Sequence, residues 1–302
     1  MLIEKIKQLK QEKQAVILAH YYQRPEVQDV ADYIGDSLDL SRIAAKTNAK
    51  IIVFCGVNFM AETAKILSPD KKVLLPVADA GCPMAMMINE KKLREYKQQH
   101  PDRVVICYVN SYASVKALSD VCVTSSNAEK IIRRFQHQKI CYVPDKNLGL
   151  YLKEKYQLDL ETWPGYCCIH NNLKPEQVQE MRHLHPNAKV LIHPEAPLEV
   201  LRLADYVGST SGIIRTATES ADQEFIIGTE EGILYPLRQK NPEKKFYLLN
   251  KGLLCRNMKK TTLPDVLRSL ETETHEIIVE ESVRIQARRS LDLMLEWSQE
   301  DA

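Results

Sequence analysis

A pattern of 85 to 88 residues occurs three times along the chain, and this periodicity constrains the fold more than any other feature. Each copy contains an apolar, strand-like run that ends in polar residues: V-I-L-A-H-Y-Y-Q, V-V-I-C-Y-V-N-S and V-L-I-H-P-E. Their ends carry His20, Tyr108 and His193, which lie 88 and 85 residues apart. A cysteine in a later loop is a second marker and recurs at Cys82, Cys167 and Cys255. The cysteines are spaced by 85 and 88 residues, so two unrelated markers with one period predict three related units.

Apolar runs rich in β-formers alternate with helical patterns, which is typical of an α/β fold with parallel sheets. Residues 51–54 are apolar at every position, as expected of a strand covered on both faces. We therefore predict three homologous three-layer αβα domains with parallel sheets around a pseudo-threefold axis. The expected boundaries are 1–86, 87–171 and 172–272. We expect the C-terminal segment 273–302, with a strand and a long helix, to pack on the first domain.

Charge and hydropathy exclude several classes of protein. The 41 basic and 40 acidic side chains give a net charge of +1, whereas nucleic-acid binding needs a basic excess. No apolar run reaches the roughly 18–20 residues of a membrane span. The N-terminal residues alternate Leu and Ile with Lys and Glu and do not resemble a signal peptide. We therefore expect a cytoplasmic protein with reduced thiols that binds neither nucleic acid nor membrane.

The eight cysteines fall into two groups. Four lie in strand-like apolar runs and are expected to be small core residues: Cys55, Cys107, Cys122 and Cys141. Cys168 adjoins Cys167, and we expect one of that pair to be a bystander. The cysteines that recur with the period each have a glycine within three residues upstream: Gly81, Gly165 and Gly252. Glycine suits a sharp turn that aims a side chain.

Three loop thiols, one from each unit, suit an iron–sulfur cluster with one iron left without a protein ligand. Such an iron acts as a Lewis acid on substrate oxygen atoms. Spacing alone leaves the alternative of three unrelated loop thiols open.

The polar strand ends predict a shared binding site, because ligands bind beyond the carboxyl ends of parallel strands. These positions carry His20, Tyr22, Tyr108, Asn110, His193 and Glu195. Such side chains can hold carboxylates, and Tyr22 and Glu195 can move protons. Hydroxyls in the helix-start patterns G-D-S-L, T-S-S-N and G-S-T-S-G are suited to anions, although plain N-capping is the favoured explanation for any single one of them.

Taken together, these motifs resemble those of the quinolinate synthases. The matching stretches run in order from H-Y-Y-Q and G-D-S-L through C-G-V-N-F-M-A-E-T-A-K-I-L and G-C-P-M-A to Y-V-N-S and P-D-K-N-L-G. They continue through W-P-G-Y-C-C-I-H, H-P-E and G-S-T-S-G to C-R-N-M, so the resemblance covers nearly the whole chain. It implies condensation of iminoaspartate with dihydroxyacetone phosphate to quinolinate, phosphate and water in NAD biosynthesis.

The resemblance also implies a site. One [4Fe-4S] cluster per chain would be held by Cys82, Cys167 and Cys255, with Cys167 favoured over Cys168 because it completes C-x-x-H with His170. The implied catalytic residues are Tyr22, His193 and Glu195. The implied substrate-binding residues are His20, Ser37, Tyr108, Val109, Asn110, Ser125, His193, Pro194, Glu195 and Thr210.

Two other functions stay open at this point: another [4Fe-4S] hydro-lyase acting on a small carboxylic acid, and a non-enzymatic metabolite-binding protein. The implied partners are the two substrates, with functional coupling to an enzyme that produces iminoaspartate.

Overall fold

The computed structural model describes residues 1–299, and within them the strands form three separate parallel sheets. Every sheet has four strands in one spatial order, in which the first strand lies between the second and the third. The first sheet contains β1 (Ala15–His20), β2 (Tyr33–Gly35), β3 (Ile51–Cys55) and β4 (Lys72–Leu74). The second contains β5 (Arg103–Tyr108), β6 (Val121–Val123), β7 (Lys139–Val143) and β8 (Leu160–Thr162). The third contains β9 (Lys189–Ile192), β10 (Tyr206–Val207), β11 (Glu224–Gly228) and β12 (Lys245–Leu248). This recurrence confirms the predicted α/β class with three parallel sheets.

Helices link the strands, because parallel neighbours need a crossover connection. In the first third of the chain they are α1 (Leu2–Glu12), α2 (Pro25–Val30), α3 (Ser37–Lys46), α4 (Asn58–Leu67) and α5 (Glu90–Gln99). The middle third contains α6 (Ala113–Ala117), α7 (Ala128–Ile132), α8 (Lys146–Tyr156), α9 (Pro175–Leu184) and α10 (Leu198–Leu201). The last third contains α11 (Thr210–Glu219), α12 (Leu234–Lys240), α13 (Leu263–Thr272) and α14 (Glu281–Trp297). No helix in residues 1–299 is long and apolar enough to cross a bilayer.

The central strands are apolar at every position because both faces of the sheet are covered. In the first sheet, Ile17 pairs with Val53 and Leu18 with Phe54, and all four side chains are buried. Since successive side chains point to opposite faces, the pair Ile17 and Val53 packs with helices α1 and α13. The pair Leu18 and Phe54 faces a larger core that continues into the second sheet.

The end of the chain contacts two of the sheets. A short antiparallel bridge joins Leu74 of β4 to Glu276, where the sequence predicted a strand. Helix α14 then packs on α6 and β6, which belong to the second sheet and its crossover. Helix α13 packs on α1 beside the first sheet. The boundaries 1–86, 87–171 and 172–272 stay a prediction, and residues 300–302 of the final segment lie outside the described residues.

Candidate functional site

A cavity of about 80 Å³ lies where the ends of the first strands of the three sheets meet. It brings together twelve of the residues that the sequence predicts for the site: His20, Tyr22, Ser37, Cys82, Tyr108, Asn110, Ser125, Cys167, His193, Glu195, Thr210 and Cys255. The structure does not bring Val109 and Pro194 to this cavity, and the Val109 side chain lies in the hydrophobic core. Since side chains alternate along an extended backbone, Tyr108 and Asn110 face the cavity and Val109 turns away.

Glu195 is buried at the centre of a hydrogen-bond network. The Tyr108 hydroxyl donates to Glu195 Oε1 at 2.6 Å, and Asn110 Nδ2 lies 3.4 Å from the same oxygen. His170 Nδ1 lies 2.8 Å from Glu195 Oε2. Burial alone would raise the pKa of Glu195, but the His193 and His170 side chains and the Tyr108 hydroxyl hold that pKa well below its usual range. The carboxylate therefore stays ionised at physiological pH.

Two histidines of the cavity are neutral at physiological pH. Burial lowers the pKa of His20 to about 4 and that of His193 to about 3, although nearby carboxylates oppose the shift. His193 Nδ1 faces the backbone N–H of Glu195 at 3.4 Å, and its Nε2 lies 3.2 Å from Ser125 Oγ. These partners assign the proton of His193 to Nε2. His193 therefore offers the cavity a neutral hydrogen-bond donor.

A threonine links Tyr22 to the network around Glu195. The Tyr22 hydroxyl lies 2.7 Å from Thr229 Oγ1 and 2.9 Å from Thr210 Oγ1. Thr229 Oγ1 in turn lies 2.9 Å from His170 Nε2. If His170 Nδ1 carries the proton that faces Glu195, Thr229 donates to Nε2 and Tyr22 donates to Thr229. Burial raises the pKa of Tyr22 well above its ordinary value, so this hydroxyl keeps its proton until a stronger base takes it.

The three periodic cysteines all line the cavity. Burial raises the pKa of Cys82 to about 12 and that of Cys255 to about 11, and it raises the pKa of Cys167 well above its ordinary value. Cys168 also lines the cavity, but of the two cysteines it is Cys167 whose Sγ lies 3.3 Å from His170 Nδ1, in the network around Glu195. The cysteines predicted to be core residues, Cys55, Cys107, Cys122 and Cys141, are indeed buried.

The donor set fits a multinuclear metal centre. Thiols with raised pKa values release their protons when a metal binds, because metals bind the thiolate form. In a single-ion site with metal–sulfur bonds of about 2.3 Å, the sulfur atoms lie about 3.8 Å apart. Within residues 1–299, the group spaced for one ion is Cys167, His170 and Glu195, whose ligand atoms lie within 4.8 Å of one another. The three thiols do not form such a group, so a cluster suits them better than one ion.

At the starts of α3 and α11, the residue that caps the helix is not the residue predicted to bind substrate. The N-cap of α3 is Asp36, whose side chain accepts from the N–H groups of Leu38 and Asp39. The N-cap of α11 is Ser209, whose side chain accepts from the N–H of Gly212. Ser37 and Thr210 are therefore not the capping residues, and plain N-capping does not account for their hydroxyls.

Sequence reasoning missed His170 and Thr229 as members of the network. His170 lies in a short 3-10 turn, three residues after Cys167. The C-x-x-H spacing favoured Cys167 over Cys168 as a ligand but did not indicate a role for His170 itself. Thr229 follows β11 directly, as His193 follows β9. A complete assignment of the strands would have marked Thr229 as another polar strand end.

Comparisons with known proteins agree with one another. Residues 4–296 match the model of a family described as quinolinate synthetase A protein. The quinolinate synthase of Alkaliphilus metalliredigens is 54% identical over 296 residues, which cover 98% of each chain. Quinolinate synthase 2 of Methanosarcina acetivorans is 49% identical over 298 residues, covering 99% of this chain and 96% of the relative. The quinolinate synthase of Clostridioides difficile is 50% identical over 291 residues, or 96% of each chain.

Proposed function

The chain belongs to the quinolinate synthase family, whose members are enzymes, and from this premise we propose its reaction and the roles of its residues. The substrates are iminoaspartate and dihydroxyacetone phosphate. Their condensation releases one phosphate and two waters and gives quinolinate, the precursor of NAD. The observation that carries the proposal is the convergence of twelve predicted site residues, from all three repeats, on one cavity.

Cys82, Cys167 and Cys255 are the residues that would hold a [4Fe-4S] cluster. All three thiols line the cavity, and each comes from a different repeat of the chain. When bound, a cluster with three protein ligands supplies a Lewis acid for substrate oxygen atoms.

Neutral donors and helix starts hold the anionic groups of the substrates. Ser37 and Thr210 are the first residues of two ten-residue helices, so their hydroxyls lie at the positive ends of the helix dipoles. Ser125 lies in the turn before α7 and is held by His193 Nε2. His20 accepts the Tyr22 N–H at Nδ1, so its Nε2–H is available for a substrate carboxylate.

Glu195 and Tyr22 move protons. The Glu195 carboxylate is ionised and lines the cavity. Although its lowered pKa makes it a weak base, its position lets it take up a proton from the carbon or nitrogen atom that loses one during tautomerisation. The Tyr22 hydroxyl stays protonated and donates to a leaving or carbonyl oxygen. Thr229 and His170 connect the two groups. A proton taken up by Glu195 can return to Tyr22 through them when His170 is in its Nε2–H tautomer: Glu195 then donates to Nδ1, Nε2 donates to Thr229, and Thr229 donates to Tyr22.

An anaerobic assay with both substrates tests the proposal. The wild-type chain should form quinolinate, whereas Glu195→Gln should keep the brown colour of the cluster and lose at least 100-fold in kcat. Glu199→Gln is the matched control, because Glu199 is an exposed carboxylate four residues further along. Alanine variants of Cys82, Cys167 and Cys255 should lose colour and activity together.

Each part of the proposal has its own contrary result. A coloured wild-type protein that forms no quinolinate but dehydrates another carboxylic acid would favour the alternative hydro-lyase. An unchanged kcat in Glu195→Gln would remove Glu195 from proton transfer. A full cluster in one cysteine variant would remove that residue from the ligand set.

A further inference from the structure

One carboxylate joins the three repeats on the solvent side of the cavity. Asp36 is 4% exposed, and its Oδ1 accepts from the N–H groups of Leu38 at 3.0 Å and Asp39 at 3.1 Å. Its Oδ2 accepts from the hydroxyls of Ser126 and Ser211. These two serines belong to the second and third repeats. We call Asp36, Ser126 and Ser211 the clasp.

Every clasp residue is adjacent in sequence to one of the hydroxyl residues proposed to hold substrate. Asp36 precedes Ser37, Ser126 follows Ser125, and Ser211 follows Thr210. The hydroxyls of Ser126 and Ser211 lie 3.3 Å apart, so the clasp fixes the distance between the second and third repeats as well. The relative positions of the three substrate hydroxyls therefore depend on the clasp.

The clasp also lies between the cavity and solvent. Asp36 lines the cavity, whereas Ser126 is exposed. Two substrates have to enter a cavity of about 80 Å³, which the closed clasp bounds on this side. To open the clasp, the hydroxyls of Ser126 and Ser211 must break their hydrogen bonds to Asp36 and form hydrogen bonds to water instead.

The position of Asp36 beside the cavity is not explained by direct binding of substrate. A carboxylate repels the carboxylates and phosphate of the proposed substrates, and two amides and two hydroxyls already occupy its oxygens. Because charged hydrogen bonds are about twice as strong as neutral ones, one carboxylate can hold both serines more firmly than a neutral acceptor.

We propose that Asp36 is a positioning residue that sets the spacing of Ser37, Ser125 and Thr210 through Ser126 and Ser211 and holds the solvent side of the cavity closed. The part that concerns substrate rests on the proposed function. The part that concerns closure rests on the clasp contacts alone.

Two variants remove the clasp in different ways. In Asp36→Asn, the amide oxygen still caps α3, but the amide nitrogen cannot accept from two serine hydroxyls. The double variant Ser126→Ala/Ser211→Ala leaves Asp36 and its cap intact. Asn89→Ala is the matched control, since Asn89 caps α5 by accepting the Lys92 N–H and does not line the cavity.

Amide hydrogen exchange and steady-state kinetics are measured on the cluster-loaded proteins. Both clasp variants should exchange faster than wild type in segments 124–128 and 209–213. They should also raise the KM of at least one substrate about tenfold, with kcat within twofold of wild type. Asn89→Ala should change exchange only near α5 and leave both kinetic constants unchanged. If Asp36 had a purely structural role, the clasp variants would have a lower unfolding temperature but would not combine a raised KM with an unchanged kcat.

Unchanged exchange in both clasp variants would overturn the closure part. Faster exchange with an unchanged KM would overturn the positioning part. If the wild-type protein makes no quinolinate, the proposed function fails, and the exchange rates alone then decide whether the clasp closes the cavity.

Discussion

At the scale of single residues, Thr229 connects side chains that are far apart in sequence. Its hydroxyl lies 2.7 Å from the Tyr22 hydroxyl and 2.9 Å from His170 Nε2, and it is completely buried. Thr229→Val removes the hydroxyl while the branched shape stays similar. We expect kcat to fall about 100-fold, because the proton path between Tyr22 and His170 is interrupted.

Steady-state rates of quinolinate formation, together with the visible absorption of the cluster, measure this effect. Thr63→Val is the control, since Thr63 is a buried threonine whose hydroxyl donates to the Phe59 carbonyl inside a helix. It should leave kcat within about twofold. A Thr229→Val protein with normal colour and normal kcat would show that the proton takes another route.

The buried histidine His20 makes stability depend on pH. The unfolded chain protonates His20 near pH 6.5, whereas the folded protein does so only near pH 4, because burial lowers its pKa. Between these values the unfolded state binds the extra proton, so the free energy of unfolding decreases as the pH falls from 6.5 to 4. The shift corresponds to a loss on the order of 3 kcal/mol.

Denaturant unfolding at several pH values between 7.5 and 4 measures this loss. In His20→Asn the decrease should be smaller by that amount, since the group that takes up the proton is gone. His137→Asn is the control, because His137 is an exposed histidine that does not line the cavity. Parallel curves for wild type and His20→Asn would contradict the expectation.

Much of the cavity could be predicted from the sequence because its residues sit at repeated positions. His20, Tyr108 and His193 recur with the period and do meet. Thr229 was missed because the strand before it, β11, was not assigned, and Asp36 was missed because its serine partners lie in other repeats. Which residues face each other across repeats depends on how the sheets pack, and a single sequence contains no direct signal for that.

At the scale of elements, long apolar strands were predictable and short ones were not. The central strands β1, β3, β5 and β7 have five or six residues, enough to show an apolar run. Strands β2 and β8 have three residues, too few to show any period. In the common sheet order β2 corresponds to β6, but the three residues of β2 contain no apolar run by which the sequence could show this match.

Helix α14 contributes to stability through its buried face. Leu291 is 0% exposed and belongs to the core shared by the first two sheets. Leu291→Ala leaves a cavity there, and we expect the free energy of unfolding to fall by about 2–5 kcal/mol. Chemical denaturation of the purified variant gives this value.

Ile285→Ala is the matched control on the same helix. Ile285 is 58% exposed, so its truncation should change stability by less than about 0.5 kcal/mol. If the two variants were equally stable, α14 would be only loosely attached to α6 and β6.

At the scale of the whole molecule, the three sheets repeat one topology but do not have three separate cores. Leu18 and Phe54 of the first sheet share a single hydrophobic cluster with Val105 and Tyr142 of the second. The third sheet has its own apolar clusters, one on each face. A cut between the first two predicted units would therefore expose apolar surface on both sides.

The first unit also depends on residues from the far end of the chain. Ile6 of α1 packs with Val266 and Leu270 of α13. The backbone N–H of Ile277 donates to the Val73 carbonyl of β4. A fragment of residues 1–86 lacks all of these partners, as well as the second sheet.

We therefore expect the fragment 1–86 to show no cooperative unfolding transition, although the full chain unfolds cooperatively. Each exposed Å² of apolar surface costs about 25 cal/mol, and a chain of this length has a small stability margin even with a complete core. Thermal melts followed by far- and near-UV circular dichroism decide the matter. Coincident sigmoidal melts at both wavelengths would show that the first repeat folds alone. The core that it shares with the second sheet would then not be needed for its folding.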